Sequence, residues 1–298
     1  MPSLEALARL RDRGAIDLVG VVTQLDRPAH RGRLTAPPVK EKARELGVPV
    51  HQPARLRGDA LAAIVALRPD ALAWAAYGNL VPRSLIDAVG ARAVNVHPSL
   101  LPRWRGAEPV AHAILAGDAT TGVTLMQGTA DLDAGPIIAQ ISLEIPPAST
   151  TDELEAMLAI HGARLLEHKL PEYLDGTIEP RPQRSEGVTW APKLDPAIGA
   201  LDFGRPAEEL ACVVRAYTSD PGAYTTFRGQ RIGVLRASVT GGSPEEHGIV
   251  SLRAGVPQVA AGAGWLRLEV VKPAGKREMS GADWARGVRD LDGARLPS

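Results

Sequence analysis

Ala93-Val94-Asn95-Val96-His97-Pro98-Ser99-Leu100-Leu101-Pro102-Arg103-Trp104-Arg105-Gly106 is the stretch on which the reading of this chain turns. Its opening residues have the β-branched, apolar character of a buried strand, and Pro98 ends the ladder because it has no N–H to donate. Side chains alternate along a strand, so Asn95 and His97 share a face and arrive together at the carboxyl edge, where open α/β sheets bind ligands. Further apolar runs at 17–22, 71–76, 122–126 and 136–145 alternate with helix-like stretches at 38–46, 59–67 and 109–116, and with a longer one from Thr151 to about Tyr173. That rhythm predicts βα units around a mostly parallel sheet, a Rossmann-like α/β fold. The long helix opens on Ser149-Thr150-Thr151-Asp152-Glu153, a hydroxyl cap followed by acidic first-turn residues.

After Asp175-Gly176 the character changes. Residues 177–198 are proline-rich and aperiodic, and beyond them one amphipathic helix (206–216) precedes short alternating segments broken by Gly and Pro. The expected organisation is an α/β domain over 1–176, a linker over 177–198 and a small OB-like β-barrel over 199–298.

Composition narrows the function classes. Apolar residues are 45% and charged residues 23% of the 298, the balance of a globular protein. No uncharged stretch is long enough to span a membrane, and charges at Glu5, Arg9, Arg11, Asp12 and Arg13 do not suit a secretory signal, so a cytoplasmic protein without a membrane partner is expected. The single cysteine, Cys212, allows neither an intrachain disulfide nor a thiolate cage. Lysine plus arginine equal aspartate plus glutamate at 34 each, yet residues 26–44 hold six basic and two acidic side chains. There is no glycine-rich phosphate loop, no dinucleotide fingerprint and no zinc-ligand spacing, so no metal is expected.

A turn-rich loop, Asp131-Leu132-Asp133-Ala134-Gly135, follows the strand at 122–126 and is expected to bring a carboxylate to the edge that carries Asn95 and His97. A carboxamide N–H stabilises a developing oxyanion, an imidazole moves protons near neutral pH, and a carboxylate orients and strengthens that imidazole. Together they suit acyl transfer to an amine without a covalent nucleophile. A lone histidine at a strand end is more often structural, and Trp104 between Arg103 and Arg105 reads equally as an apolar anchor or a ligand platform.

The string from Asn95 to Ala107, continued by Ala113-Ile114-Leu115-Ala116-Gly117-Asp118 and Thr121-Gly122-Val123-Thr124-Leu125-Met126-Gln127, resembles the methionyl-tRNA formyltransferase family. Val22 to Arg33 is similar to that family's tRNA-contacting loop, and Lys272-Pro273-Ala274-Gly275-Lys276-Arg277-Glu278-Met279-Ser280 to its closing motif. The resemblance implies catalytic roles for Asn95, His97 and Asp133, tetrahydrofolate contacts from Ser99, Leu100, Leu101 and Pro102, and tRNA contacts from Arg27, Arg31 and Arg33. It implies transfer of the formyl group of 10-formyltetrahydrofolate, a consumed co-substrate, to the α-amine of methionyl initiator tRNA, by a monomer whose C-terminal domain assists tRNA binding.

In one respect the chain departs from that family, which normally opens with a strand and a Gly-Thr-Pro turn before its first helix. Here Leu4, Ala6, Leu7 and Leu10 already form a helical stripe, so the sheet is expected to lack its first strand. Neighbouring strands would then expose backbone groups worth about 1–3 kcal/mol each where buried. Two other readings stand beside the first: a formyltransferase of the same fold acting on a sugar-nucleotide or purine-precursor amine, and a truncated, inactive tRNA-binding homologue.

Overall fold

A computed structural model of the chain describes residues 1–28, 34–218 and 220–297. Contacts group it into two units, one of residues 1–107, 121–143 and 156–190 and one of residues 108–120, 144–155 and 191–298.

The first unit begins with α1 (Pro2–Asp12), whose buried face is Leu4, Ala6, Ala8 and Leu10. Then come β1 (Val21–Val22), the short hairpin strands β2 (Arg27–Pro28) and β3 (Leu34–Thr35), α2 (Pro38–Glu45), β4 (Val50–His51), α3 (Asp59–Ala66), β5 (Leu72–Ala75), α4 (Arg83–Val89), β6 (Ala93–His97) and β7 (Arg105–Gly106). After α5 (Pro109–Leu115), in the second unit, the chain returns for β8 (Thr120–Gln127) and β9 (Ile137–Glu144), continues through α6 (Thr151–Leu174) and reaches β10 (Trp190–Ala191). Among the described residues the parallel sheet is in two pieces. One is the parallel pair β1–β4, and the other runs β5-β6-β8-β9 with β5 and β6 parallel. Val22 from the first piece and Leu72 from the second pack against one apolar cluster of Leu56, Ile64 and Leu85.

All five residues of β6 are buried. Period two sends Val94 and Val96 to the face opposite Asn95 and His97, and α6 covers it at Gly162, where a Cβ would come within 2.8 Å of Val96 Cγ1 and 3.2 Å of Val123 Cγ1. The entropic cost of a mid-helix glycine, about 0.5–1 kcal/mol against alanine, is accepted here in exchange for close helix–sheet contact. Farther along α6, Tyr173 accepts from Gln127 Nε2 at 2.6 Å and donates to the Ala91 carbonyl, which ties the helix to β8 and to the turn that precedes β6.

In one respect the strand directions differ from the sequence expectation. Strand β8 pairs antiparallel with β6, in the register Val94↔Gln127 and His97↔Thr124, so β8 ends beside the start of β6. An apolar run looks the same whichever way its strand points, and direction is therefore invisible to periodicity.

The second unit holds α5, α7 (Ala207–Ala216), β11 (Tyr224–Phe227), β12 (Gln230–Thr240), β13 (Val250–Arg253), β14 (Val256–Ala260), β15 (Trp265–Pro273), β16 (Met279–Ser280) and α8 (Gly281–Arg286). Its sheet runs β11-β12-β15-β14-β13 with β16 added to β15, and every pair is antiparallel. A register shift around Arg236 in β12 bends the sheet into a curl. The apolar face of α7, including Leu210, Val213 and Val214, is buried.

Candidate active site

Asn95, His97 and Asp133 meet in the first unit, with Asn95 and His97 at 7% and 4% exposure. Asn95 Nδ2 donates to Asp133 Oδ1 at 3.3 Å, and His97 Nδ1 lies 3.7 Å from Asp133 Oδ2. Gly106 N–H donates to the same Oδ2 at 2.9 Å. The other imidazole nitrogen, Nε2, is 2.8 Å from the Trp104 carbonyl. A carbonyl only accepts, so Nε2 carries the hydrogen and neutral His97 presents an unprotonated Nδ1 beside the carboxylate. Burial pushes His97 below its ordinary value of 6.5, against the opposing pull of the Asp133 charge and the Trp104 carbonyl. Near neutral pH the resting imidazole is a free base, and a proton gained at Nδ1 is held between ring and carboxylate.

Asp133 reaches this place by an unexpected route. Since β8 ends at the wrong end of β6, residues 128–135 must fold back, and the loop is closed at its neck by Gln127 N–H donating to the Pro136 carbonyl at 2.9 Å. Gln183 Nε2 donates to the Asp133 and Gly135 carbonyls, both at 2.8 Å, and its Oε1 accepts from Arg105 Nη2 at 2.7 Å. Two residues of the site adopt left-handed backbone without being glycine, Trp104 at φ 61° and Asp133 at φ 48°. For a bulky tryptophan that conformation is strained, and here it aims the carbonyl at His97. Thr189 holds this turn, accepting the Trp104 N–H on Oγ1 and the Arg105 N–H on its carbonyl, each at 2.9 Å. Arg103 lies over the Trp104 ring at 4.3 Å.

The loop neck gives a direct test. A Cβ on Gly135 would lie 1.9 Å from the Gln127 carbonyl oxygen, which is backbone and cannot swing aside. Gly135→Ala should therefore cost about 1–3 kcal/mol in denaturant unfolding, the usual penalty of overpacking, and lower turnover with it because the shift moves Asp133. Unaltered stability and turnover would mean that the loop is not pinned.

The segment Ser99–Pro102 is positioned rather than open. Thr124 Oγ1 donates to the Ser99 carbonyl at 2.6 Å and accepts the Leu101 N–H at 3.1 Å, while Gln140 Nε2 donates to the Leu101 carbonyl at 2.9 Å. Ser99 and Leu101 are buried, and the Ser99 hydroxyl bonds the Arg103 carbonyl at 2.6 Å. Leu100 and Pro102 are half-buried and remain the side chains of this segment that a ligand can touch.

Of the basic residues singled out by sequence, Arg27 is exposed on β2, whereas Arg31 and Arg33 lie outside the described residues. Part of the local positive charge is internal. Lys40 is 8% exposed and bonds both oxygens of Asp26 at 2.7 Å, and Gln52 donates to Asp26 Oδ1 at 2.8 Å. These bonds, that of Gln52 foremost, hold the Asp26 carboxyl below its ordinary range. Sequence reasoning missed Gly106, Thr124, Gln140 and Gln183. Thr124 has the signal of a polar residue in an otherwise apolar strand, but Gln183 sits in an aperiodic stretch and carries none. Among the described residues no cluster of His, Cys, Asp and Glu is arranged to hold a metal ion, and no helix is long and apolar enough to cross a membrane.

Comparison with known proteins identifies the family. Residues 4–170 match the family described as "Formyl transferase", and residues 193–289 match "Formyl transferase, C-terminal domain". The chain is 44% identical to a methionyl-tRNA formyltransferase of Halorhodospira halophila, over 98% of this chain and 94% of that protein. It is 43% identical to one of Myxococcus xanthus, over 94% and 90% respectively. Among solved structures it is similar in fold to HypX from Aquifex aeolicus in complex with tetrahydrofolic acid, with a TM-score of 0.62 at 17% identity, over 93% of this chain and 49% of that one.

Proposed function

The chain belongs to the formyl transferase family, and from that premise we infer that it moves a formyl group from 10-formyltetrahydrofolate to the α-amine of methionyl initiator tRNA. The observation that carries this reading is identity of 44% to a methionyl-tRNA formyltransferase over nearly the whole chain, joined to a buried Asn–His–Asp cluster suited to acyl transfer. On this reading residues 1–176 carry the chemistry, 177–198 connect, and 199–298 assist in holding the tRNA. Its substrates are those of translation initiation, which belongs to the cytoplasm.

The folate supplies the formyl carbon and, at N10, takes back a proton. The fixed Ser99–Pro102 turn suits it, because Leu100 and Pro102 offer an apolar ledge held rigid by Thr124 and Gln140. His97 accepts the proton of the attacking amine on Nδ1 and returns one to the leaving nitrogen. Asp133 holds the imidazolium that forms between these events. The Asn95 carboxamide spends one N–H on Asp133 and keeps the other for the formyl oxygen as negative charge develops there. The turn from Trp104 to Gly106 and the Gln183 brace keep the three groups in place, so little reorganisation accompanies the reaction.

Recognition of tRNA is assigned to Arg27, Arg31 and Arg33, whose guanidinium groups fork onto phosphates or stack on unpaired bases. Arg31→Ala should reduce kcat/KM for methionyl-tRNA by about 1–3 kcal/mol in transition-state terms and flatten its salt dependence, while a small amine acceptor loses nothing. Equal losses on both acceptors would assign the loop to the fold instead.

A further inference from the structure

Strand β5 brings one large side chain to the catalytic end of the sheet, Trp74, set between Ala73 and Ala75. It stands opposite Asn95 in the parallel register of β5 and β6, so the two side chains rise together from one face, on strands about 4.8 Å apart. The half-buried indole packs against the cluster of Ile86, Val89 and Ala93. Its far edge reaches Gly128, the residue at which the Asp133 loop leaves β8. A Cβ on Gly128 would lie 2.0 Å from Cη2 of the ring and 2.9 and 3.0 Å from Cζ3 and Cζ2. Since the strand order is β5-β6-β8, the ring spans β6 over the small side chain of Ala93. Neither the proton transfer nor the stabilisation of the oxyanion gives Trp74 a task.

The backbone of Gly128 is not left-handed, so a side chain is excluded there by space and not by conformation. Its N–H donates to the Ala93 carbonyl at 2.8 Å, which ties the residue to β6 while the indole covers it. One residue on, Thr129 Oγ1 donates to the Asp131 carbonyl at 3.1 Å, so the outgoing limb of the loop is short and internally bonded. The returning limb is held separately, at Gly135 and by Gln183. Asp133 lies between the two limbs at φ 48°, a conformation that a residue with a side chain keeps only where its surroundings impose it.

We propose that Trp74 is a positioning residue for formyl transfer: its ring, laid across β6 onto Gly128, fixes the outgoing limb of the Asp133 loop and so keeps the carboxylate beside His97 and Asn95. The proposal rests on the roles given above to those three residues. Removal of the ring leaves a void into which the limb relaxes, because a close-packed interior collapses only partly around lost volume. The ring also stands beside Asn95 on the next strand and limits the directions its carboxamide can take. Trp74 touches no reacting atom in this account and acts through Gly128 and Asn95.

The test compares wild type with Trp74→Val, Trp74→Phe, Gly128→Ala and the double variant Trp74→Val/Gly128→Ala, using methionyl-tRNA and 10-formyltetrahydrofolate. Trp74→Val should lower kcat about 10- to 100-fold, the cost of a small misplacement, with both KM values within about threefold of wild type. Its acid limb should move to lower pH, because the Asp133 charge that pulls His97 upward has moved away from the ring. Gly128→Ala should show the same pair of effects by pushing the limb off the indole. In the double variant the methyl takes space that the indole vacated, and kcat should recover by about fivefold or more over either single change, the coupling expected of neighbours in contact. Trp74→Phe keeps part of the ring and should fall between wild type and Trp74→Val, with the acid limb shifted the same way, which decides the matter if Trp74→Val does not fold. Losses that simply add in the double variant, an acid limb that stays in place, or a loss confined to KM would each overturn the proposal. Titration of the His97 ring by NMR without substrates gives a reading independent of turnover, and it should midpoint lower in Trp74→Val or Trp74→Phe than in wild type. If wild type left methionyl-tRNA unformylated, the parent reading would fall, and that titration would still decide whether Trp74 holds Asp133 against His97.

Discussion

His97→Ala lowers single-turnover formyl transfer to methionyl-tRNA by about 10²- to 10⁴-fold, the range that a positioned general acid–base group supplies. The expectation rests on the resting state of the ring. With Nε2–H committed to the Trp104 carbonyl, Nδ1 is the free basic site, and it faces the Asp133 side chain 3.7 Å away. The pH profile carries the same signature. A histidine lowered from 6.5 by burial stays neutral, and so stays a base, through pH 6.5 and below, and activity is lost only as pH falls through that lowered value. The acid limb of wild-type kcat/KM should therefore lie below 6.5. Asp133→Asn removes the charge that pulls the ring upward, so the acid limb should move lower still while the plateau rate drops. An unshifted limb in Asp133→Asn, or near wild-type turnover in His97→Ala, would take His97 out of the proton transfer.

Asn95→Ala should cost about 10²- to 10³-fold in the transfer step, as removal of a single oxyanion donor does elsewhere. Folate affinity should change little, since Asn95 bonds Asp133 and faces the reacting centre rather than the Ser99–Pro102 turn. Asn95→Asp is the sharper variant. It places a second carboxylate where the amide stood 3.3 Å from Asp133, and like charges at that range raise one of the two acids strongly. Its turnover should fall at least as far as that of Asn95→Ala and recover partly toward lower pH, where one carboxyl is protonated and can donate. A loss confined to KM in either variant would make Asn95 a binding group and not a transition-state one.

Much of this site could be read from residues 93–106, because strand alternation and the lack of an N–H in proline act locally. That argument put Asn95 and His97 on one face, and they are there. The position of Asp133 was anticipated by the wrong path: a parallel strand was expected to deliver it, whereas β8 is antiparallel to β6 and an eight-residue loop brings the carboxylate back. Strand sense depends on the whole connection and leaves no mark on alternation. Gln183 was read as part of a featureless linker, yet it takes part in four hydrogen bonds that fix the Asp133 loop and Arg105. A side chain acting across about fifty residues of sequence has no periodic partner to betray it. The basic stretch 26–44 shows the reverse error. Summed charge counts Lys40 as available, but Lys40 is buried against Asp26 and serves the fold, whereas Arg27 and Arg44 are exposed. In the second unit the alternating segments did mark strands, since a surface sheet with one covered face writes its period into the sequence.

The measurement closest to the central claim is single-turnover incubation of the purified chain with 10-formyltetrahydrofolate and methionyl initiator tRNA, following both products. Formation of N-formylmethionyl-tRNA and tetrahydrofolate in equal amounts, abolished by His97→Ala and not reproduced with an amino-sugar nucleotide as acceptor, is the predicted result. Formylation of the amino-sugar nucleotide with methionyl-tRNA left untouched, or binding of tRNA without any transfer, would contradict it.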